Sequence, residues 1–213
     1  MKRSECLKQL FSKMPDDVIV VGNVGDTATG MVTYRPSDAN VYSVNLGSCS
    51  AIGFGLALGL PHRRIVVLDG DGNLLLNLAV LADIAKEAPA NLAIIVQDNE
   101  VYGSAGNLPS ATAGPADLAA VAKSAGINNT RTIRDLGTFE ASVDGILKAP
   151  GPLFVVAKIE KEIERPLNPV TYNPVENKFK FVRYIEATEG VRIIPQTQGS
   201  RVICERTNTQ EGK

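Results

Sequence analysis

Residues 65–73 read Ile65-Val66-Val67-Leu68-Asp69-Gly70-Asp71-Gly72-Asn73, an apolar run that ends in a glycine-rich turn before a long apolar segment. The next apolar run, 92–96, leads into Gln97-Asp98-Asn99-Glu100-Val101-Tyr102-Gly103. Both runs are rich in β-branched residues, which is typical of strands covered on both faces. Twenty-six residues separate Gly72 from Asn99, which is enough for one crossover helix and one strand. The pattern therefore predicts two neighbouring parallel strands.

The same alternation of short apolar runs and longer helical segments extends over most of the chain. Further strands are predicted at 18–21, 41–44, 130–133 and 153–157, and helices near 48–59, 74–88, 116–125 and 138–148, with Asp117 and Thr138 near the starts of the last two. This repetition predicts an α/β fold, in which a parallel sheet is the middle layer of a three-layer αβα structure. Ligands of such sheets bind at the carboxyl ends of the strands.

Composition limits the possible functions. The chain has 213 residues and a formal net charge of −1, which indicates neither nucleic-acid binding nor an anionic-membrane patch. Its apolar stretches are too short to span a bilayer, and no signal-type region follows Met1. Three cysteines without a CxxC pair indicate a reducing cytoplasm and argue against zinc or an iron–sulfur cluster. With His62 as the one histidine, a Ser–His–Asp or Cys–His mechanism is improbable.

The residues after the two central strands suit a diphosphate and a metal ion. A glycine-rich turn at a helix start offers free N–H groups to phosphate oxygens, and Gly70 and Gly72 leave room for close approach. Asp71 and Asn99 offer the hard oxygen ligands that Mg²⁺ requires. Adjacent strands lie about 5 Å apart, so both residues can reach one cation. The alternative is that Gly-Asp-Gly is only a tight turn and Asp98-Asn99 only the start of a polar loop.

This spacing resembles the cofactor motif of the thiamine-diphosphate enzymes, which begins Gly-Asp-Gly and ends Asn-Asn; this chain has Asp98-Asn99 at the end. The resemblance implies thiamine diphosphate as the cofactor and Mg²⁺ held by Asp71, Asn99 and the backbone carbonyl of Val101. It also implies a diphosphate-binding (PP-type) domain. The cofactor-binding residues implied within the motif are Gly70, Asp71, Gly72, Asn73, Asn99, Val101, Tyr102 and Gly103.

Two further stretches resemble this family. Residues 46–58 are similar to the segment that receives the aminopyrimidine ring, where Leu46 stands at the position of the apolar wedge that bends thiamine into its reactive shape. The Val44 carbonyl then accepts a hydrogen bond from the exocyclic amine. The alternative is that Leu46 simply packs in the core. Val24-Gly25-Asp26-Thr27 is similar to the loop that touches the diphosphate, with Thr27 as a hydroxyl donor and Asp26 as an electrostatically awkward neighbour.

Within the family, residues 15–160 most resemble the β subunits of sulfopyruvate decarboxylase and the matching half of phosphonopyruvate decarboxylase. The resemblance implies that the activating glutamate belongs to a partner, a pyrimidine-binding (α-type) subunit, in a hetero-oligomer acting on a small 2-oxo acid. No catalytic residue is assigned to this chain. Residues 99–122 contain no basic residue, so three alternatives stay open: the partner supplies a cation for an anionic substrate, Arg35 does, or the substrate is less anionic than the resemblance implies.

Three other functions are considered. An acetolactate-synthase-like carboligase subunit and a non-catalytic diphosphate-binding module remain open. A 2-oxoacid:ferredoxin oxidoreductase β subunit shares the fold but would carry cluster cysteines, which this chain lacks.

The sequence pattern changes after Lys161, where prolines interrupt the alternation of strands and helices. We expect residues 1–160 to form the cofactor domain and residues 161–213 to form an extension. A helix is expected within 176–188, with Phe179, Val182 and Ile185 on one face that covers either this domain or a neighbouring subunit. Residues 207–213 are expected to be disordered.

Overall fold

Six of the strands form one parallel sheet at the centre of the molecule. The computed structural model describes residues 1–161, 172–195, 197–198 and 201–202. In chain order the strands are β1 (Ile19–Asn23), β2 (Asn40–Val44), β3 (Ile65–Gly70), β4 (Leu92–Asp98), β5 (Val101–Tyr102), β6 (Leu108–Pro109), β7 (Asn129–Ile133), β8 (Leu153–Lys158), β9 (Thr197–Gln198) and β10 (Arg201–Val202). The spatial order of the central sheet is β2-β1-β3-β4-β8-β7, and every neighbouring pair is parallel.

Helices cover both faces of this sheet, which confirms the three-layer αβα fold. They are α1 (Arg3–Ser12), α2 (Asp26–Tyr34), α3 (Cys49–Gly59), α4 (Asp71–Leu74), α5 (Val80–Glu87), α6 (Leu118–Ser124), α7 (Leu136–Lys148) and α8 (Pro174–Glu189). One core contains residues of α1, α2 and α7 with strand residues such as Val66 and Leu68. The other contains residues of α3, α5, α6 and α8 with Ile65 and Val67. Alternate side chains of one buried strand therefore enter two cores.

The predicted helices differ from the observed ones in three places. The single helix expected at 74–88 is divided into α4, a 3₁₀ turn at Leu75–Asn77, and α5. Helix α7 begins at Leu136 rather than near Thr138, because Asp135 is its N-cap and accepts from the Thr138 N–H at 2.8 Å. Helices α1 and α2 were not predicted. Asp117 caps α6, as expected, by accepting from the N–H groups of Ala119 and Ala120.

Helix α8 packs on the free side of β2. The Asn177 side chain accepts from the Tyr42 N–H at 2.8 Å and donates to the Asn40 carbonyl at 2.9 Å. An amide side chain therefore satisfies backbone groups that an edge strand would otherwise expose. Ile185 is buried in the core, whereas Phe179 is 50% exposed, so the predicted apolar stripe is not buried as a whole. The predicted disorder of residues 207–213 falls outside the described residues.

Arg35 lies at the edge of the sheet opposite to the strand ends that carry the glycine-rich turn. It follows α2 and donates to Asn40 Oδ1 at 2.6 Å, at the amino end of β2. It also donates to the carbonyls of Pro15, Asp16 and Val18, which precede β1. Burial lowers the pKa of the Arg35 guanidinium. Of the three alternatives for an anionic substrate, this position does not support Arg35, because its guanidinium is bound to groups at the amino edge of the sheet.

We expect Arg35→Met to lower the free energy of unfolding by about 3 kcal/mol, because two buried oxygens, Asn40 Oδ1 and the Val18 carbonyl, would lose their donor. Arg35→Lys should restore only part of this loss, because an ammonium group cannot form the same planar fork. Urea denaturation followed by circular dichroism measures both. Arg134→Met, at an exposed residue, is the matched control. An equal loss in the Arg35 and Arg134 variants would contradict this role.

Candidate cofactor site

The glycine-rich turn and the Asp98-Asn99 pair lie side by side at the carboxyl edge of the sheet. Strands β3 and β4 pair in register as far as Gly70 and Gln97. Helix α4 begins directly after β3 at Asp71, and Asn99 is the first residue after β4. Because both strands run in the same direction and end at the same level, the residues that follow them meet. The structure thus brings together the three residues predicted to hold a metal ion.

Three oxygen-bearing groups converge at this point. The end of the Asn99 side-chain amide lies 2.9 Å from the Val101 carbonyl oxygen and 3.2 Å from Asp71 Oδ1. When the amide oxygen faces this point, it therefore meets two other acceptors, a repulsive arrangement unless a cation lies between them. When the amide is turned over, its NH₂ group donates to both. Neighbouring ligands of an octahedral Mg²⁺ ion stand about 3 Å apart, which matches these separations.

The second carboxylate oxygen of Asp71 is held by two hydroxyl groups that the sequence did not reveal. Asp71 Oδ2 accepts from Ser110 Oγ at 2.5 Å and from Thr112 Oγ1 at 3.0 Å. The short β5–β6 hairpin returns the chain to this point, where the Ser110 N–H donates to the Glu100 carbonyl. The pair of hydroxyls in Ser110-Ala111-Thr112 was the only sequence signal. These bonds leave Oδ1 directed toward Asn99 and Val101.

Burial gives Asp71 an unusual carboxyl group. Its side chain is only 2% exposed, and this burial raises its pKa. The nearby charge of Asp98 raises the pKa further, while the bonds from Ser110 and Thr112 lower it. A buried carboxylate is costly unless it is paired or binds a metal. A divalent cation at the point where Oδ1 is directed would provide such a partner.

Asp98, which replaces the first asparagine of the family motif, has its own charge partner. Asp98 Oδ2 lies 2.7 Å from Lys158 Nζ at the end of β8, and Asp98 Oδ1 accepts from Thr112 Oγ1 at 2.8 Å. Burial alone would lower the pKa of Lys158, but its contacts with Asp98 and Glu100 outweigh that effect and raise the pKa. The extra negative charge at position 98 is therefore balanced by a lysine from the neighbouring strand.

The two glycines of the turn lie close to neighbouring side chains. A Cβ atom on Gly72 would lie 2.5 Å from the Tyr102 ring, and one on Gly70 would lie 2.7 Å from Asn23 Nδ2. Asn23 Oδ1 is buried and accepts no hydrogen bond from any described residue. Asn23 ends β1 beside Gly70. A buried polar atom without a partner at this edge fits a site that is completed by a ligand.

Leu46 projects from a tight turn at the same edge. The Ser48 N–H donates to the Asn45 carbonyl at 3.0 Å, and Gly47 has φ +77°, as a type II turn requires. Leu46 occupies the second position of this turn and is 60% exposed. The alternative that Leu46 packs in the core is therefore wrong. The side chain is free to contact a ligand.

Several other predicted cofactor residues already form hydrogen bonds within the protein. The Val44 carbonyl lies at the end of β2 and already accepts from the Val24 N–H at 3.2 Å, which leaves one lone pair. The Thr27 hydroxyl is buried and donates to Gln97 Oε1 at 2.7 Å, so its proton is directed away from a diphosphate. The Thr27 backbone lies in the first turn of α2. Asn73 is buried and bonded within the protein, and Gly103 follows Tyr102 at the hairpin.

The negative charge of Asp26, which would repel a nearby diphosphate, is paired with Arg3. Arg3, in helix α1, donates from Nη1 to Asp26 Oδ2 at 3.0 Å and forms an ion pair with it. The carboxylate therefore does not present an uncompensated charge near the diphosphate loop. This contact could not be predicted, because α1 itself was not predicted.

The whole edge can hold a metal–diphosphate group. Within the described part of the chain, no group of three or more His, Cys, Asp and Glu residues could hold a metal. One carboxylate, one amide and one carbonyl suit Mg²⁺, which keeps its remaining positions for phosphate and water oxygens. The residues present therefore fit Mg²⁺ together with a diphosphate.

Comparisons with known proteins identify the class. The family model of the thiamine pyrophosphate enzymes, C-terminal TPP binding domain, matches residues 21–157. The chain belongs to this family, and its assignment to the thiamine-diphosphate-dependent decarboxylases is confirmed. Benzoylformate decarboxylase from Polynucleobacter necessarius shares the fold, with a TM-score of 0.66 and 20% identity over 77% of this chain and 34% of that chain.

Two relatives show which members of the family this chain is similar to. The chain is 30% identical to the sulfopyruvate decarboxylase subunit beta of Methanocaldococcus jannaschii, over 87% of this chain and 97% of that protein. It is 33% identical to the phosphonopyruvate decarboxylase of Streptomyces hygroscopicus, over 72% of this chain and 38% of that protein.

No helix among the described residues is long and apolar enough to cross a membrane.

We expect Asp71→Ala to abolish Mg²⁺-dependent binding of thiamine diphosphate by the assembled enzyme and to leave the fold intact. The reason is that Asp71 carries the only carboxylate among the three converging groups. Calorimetry with the cofactor, with and without Mg²⁺, measures the effect. Asp83→Ala, on the exposed side of α5, removes a carboxylate elsewhere and should bind normally. Unchanged affinity in the Asp71 variant would remove this residue from the site.

Proposed function

We propose that this chain is the cofactor-holding subunit of a two-subunit, Mg²⁺-dependent decarboxylase of small 2-oxo acids. The observation that carries the proposal is the convergence of Asp71, Asn99 and the Val101 carbonyl at adjacent strand ends. Thiamine diphosphate supplies the carbanion chemistry when it is bound. The residues of this chain bind it, orient it and exclude water.

The proposed binding mode assigns separate tasks to separate strand ends. Asp71, Asn99 and Val101 hold Mg²⁺, while the N–H groups of residues 71–73 and those at the start of α2 face the diphosphate oxygens. Gly70, Gly72 and Tyr102 shape the turn through their close packing. At the end of β2, the free lone pair of the Val44 carbonyl accepts from the aminopyrimidine amine, and exposed Leu46 supports the bent conformation.

A partner chain completes the proposed enzyme. The similarity spans 97% of a protein named as a β subunit, but only 38% of a phosphonopyruvate decarboxylase. This contrast favours a second, pyrimidine-binding chain that carries the activating glutamate. Leu46, Leu76 and Leu108 are each about 60% exposed, and Gly47 packs beside Leu76. Apolar side chains at the edge that binds the cofactor suit a site buried between two subunits.

The substrate class follows from the named relatives, and the partner is proposed to supply the cation for its acidic group. Lys158 and Lys161 lie near the site but contact Glu100, and Lys158 also contacts Asp98. Arg35 lies at the opposite edge of the sheet. These three cations are engaged by groups of this chain, so the proposal assigns the cation for a sulfonate or phosphonate group to the partner. A cytoplasmic setting belongs to this proposal, with Cys49 as a buried thiol.

We expect Leu46→Gly to keep most of the affinity for the cofactor diphosphate but to lower turnover about 100-fold, because a positioning contact is lost. Steady-state kinetics and calorimetry on the same preparation separate these effects. Leu46→Met, which keeps an apolar side chain of similar size, should remain active. Turnover near the wild-type rate in Leu46→Gly would show that Leu46 does not act on the thiamine rings.

We expect the isolated chain to show negligible decarboxylation of any 2-oxo acid. Addition of the partner chain should restore carbon dioxide release with a saturable dependence on partner concentration. Substitution of the partner's activating glutamate should abolish this rate without preventing assembly, because the glutamate transfers a proton. Robust turnover by this chain alone, verified by mass spectrometry to be free of partner, would contradict the two-subunit proposal.

A further inference from the structure

The turn that carries Leu46 is bound through both backbone groups of Gly47. The Gly47 N–H donates to Asn73 Oδ1 at 2.7 Å, and the Gly47 carbonyl accepts from Asn77 Nδ2 at 3.0 Å. Asn73 lies in α4, and Asn77 ends the 3₁₀ turn that follows it. Two asparagines four residues apart therefore hold the two peptide units on either side of Gly47, in the β2–α3 connection. We call this arrangement the Gly47 clamp.

The amide orientation of Asn73 is set by a buried carboxylate. Asn73 Nδ2 donates to Asp69 Oδ1, so the Asn73 oxygen faces the Gly47 N–H. Asp69 also accepts from Ser50 Oγ at 2.6 Å and from the Gly70 N–H at 2.9 Å. Burial raises the pKa of Asp69, and the bonds from Ser50 and Asn73 act against that rise. A satisfied buried network of this kind fixes one geometry.

The Gly47 clamp joins two parts of the proposed cofactor site. Asn73 lies two residues after Asp71, in the same short helix. Leu46 lies one residue before Gly47, at the tip of its turn. We infer that Asn73 and Asn77 are positioning residues, which hold the Leu46 turn at a set distance from the Asp71 turn. This inference rests on the proposed function, and it assigns the Asn73 side chain to a bond within the protein rather than to contact with the cofactor.

The physical need for such a clamp follows from the shape of the ligand. A diphosphate held at Asp71 and a ring held at Leu46 are parts of one molecule, so an error in the distance between the two turns misplaces the ring. A type II turn at the end of a strand has one internal hydrogen bond and an exposed apolar tip. By itself it would move relative to α4. The two asparagine contacts remove that freedom before the ligand binds.

The test uses Asn77→Asp in the full chain, because this isosteric change replaces the donor to the Gly47 carbonyl with an acceptor. Asn128→Asp, at an exposed position before β7, makes the same chemical change as a control. Hydrogen exchange of the cofactor-free chain should become at least about 10-fold faster at residues 46–48 in Asn77→Asp alone. In the assembled enzyme kcat should fall about 10- to 100-fold, with a much smaller change in cofactor affinity by calorimetry.

Different results of these experiments would contradict the positioning role and the proposed function. Failure of the wild-type assembly to bind thiamine diphosphate with Mg²⁺ would overturn the proposed function and the positioning role that depends on it. Normal wild-type binding with unchanged exchange and kcat in Asn77→Asp would overturn the positioning role alone. A large loss of cofactor affinity with unchanged kcat would also overturn it, because Asn77 would then act on binding rather than on position.

Discussion

The convergence of Asp71, Asn99 and the Val101 carbonyl is the constraint on which the rest of the site depends. The end of the Asn99 amide lies 2.9 and 3.2 Å from two acceptors, so its NH₂ group donates to both, or its oxygen joins them around a shared cation. The protein keeps them together because β3 and β4 end at the same level of a rigid parallel sheet. The cost of holding Asp71 nearly buried is offset by the hydroxyl groups of Ser110 and Thr112.

The charged groups around this point are connected by a chain of contacts from Asp71 to Lys158. Thr112 bonds to both Asp71 and Asp98, so the two carboxylates share one hydroxyl group. Lys158 then balances Asp98 from the next strand. The departure from the Asn-Asn ending of the family motif is thus compensated by a residue 60 positions later in the chain. A substitution that is awkward when only the motif is considered becomes consistent when the neighbouring strand is included.

The opposite edge of the sheet has a purely structural task. Arg35 and Asn40 bind the segment before β1 and the start of β2, and Asn177 of α8 satisfies the outer side of β2. These bonds hold the amino edge, while the carboxyl edge keeps exposed apolar side chains and a buried oxygen of Asn23 without a partner. Only the carboxyl edge carries the residues that are proposed to hold the cofactor.

The sequence by itself determined the parallel αβα fold, the order of most elements and the positions of Asp71, Asn99 and Leu46, because periodicity and strand-end motifs are local properties. Helix breaks at 75–79 and the helices at 3–12 and 26–34 were missed, because their apolar spacing is weak and tertiary packing stabilises them. Only the tertiary structure decided that Ser110, Thr112 and Lys158 contact Asp71 or Asp98, that Asn77 contacts the Leu46 turn, and that Arg35 lies at the opposite edge of the sheet. Residues distant in the chain meet only after the sheet has formed, and their side-chain partners then decide which groups remain available to a ligand.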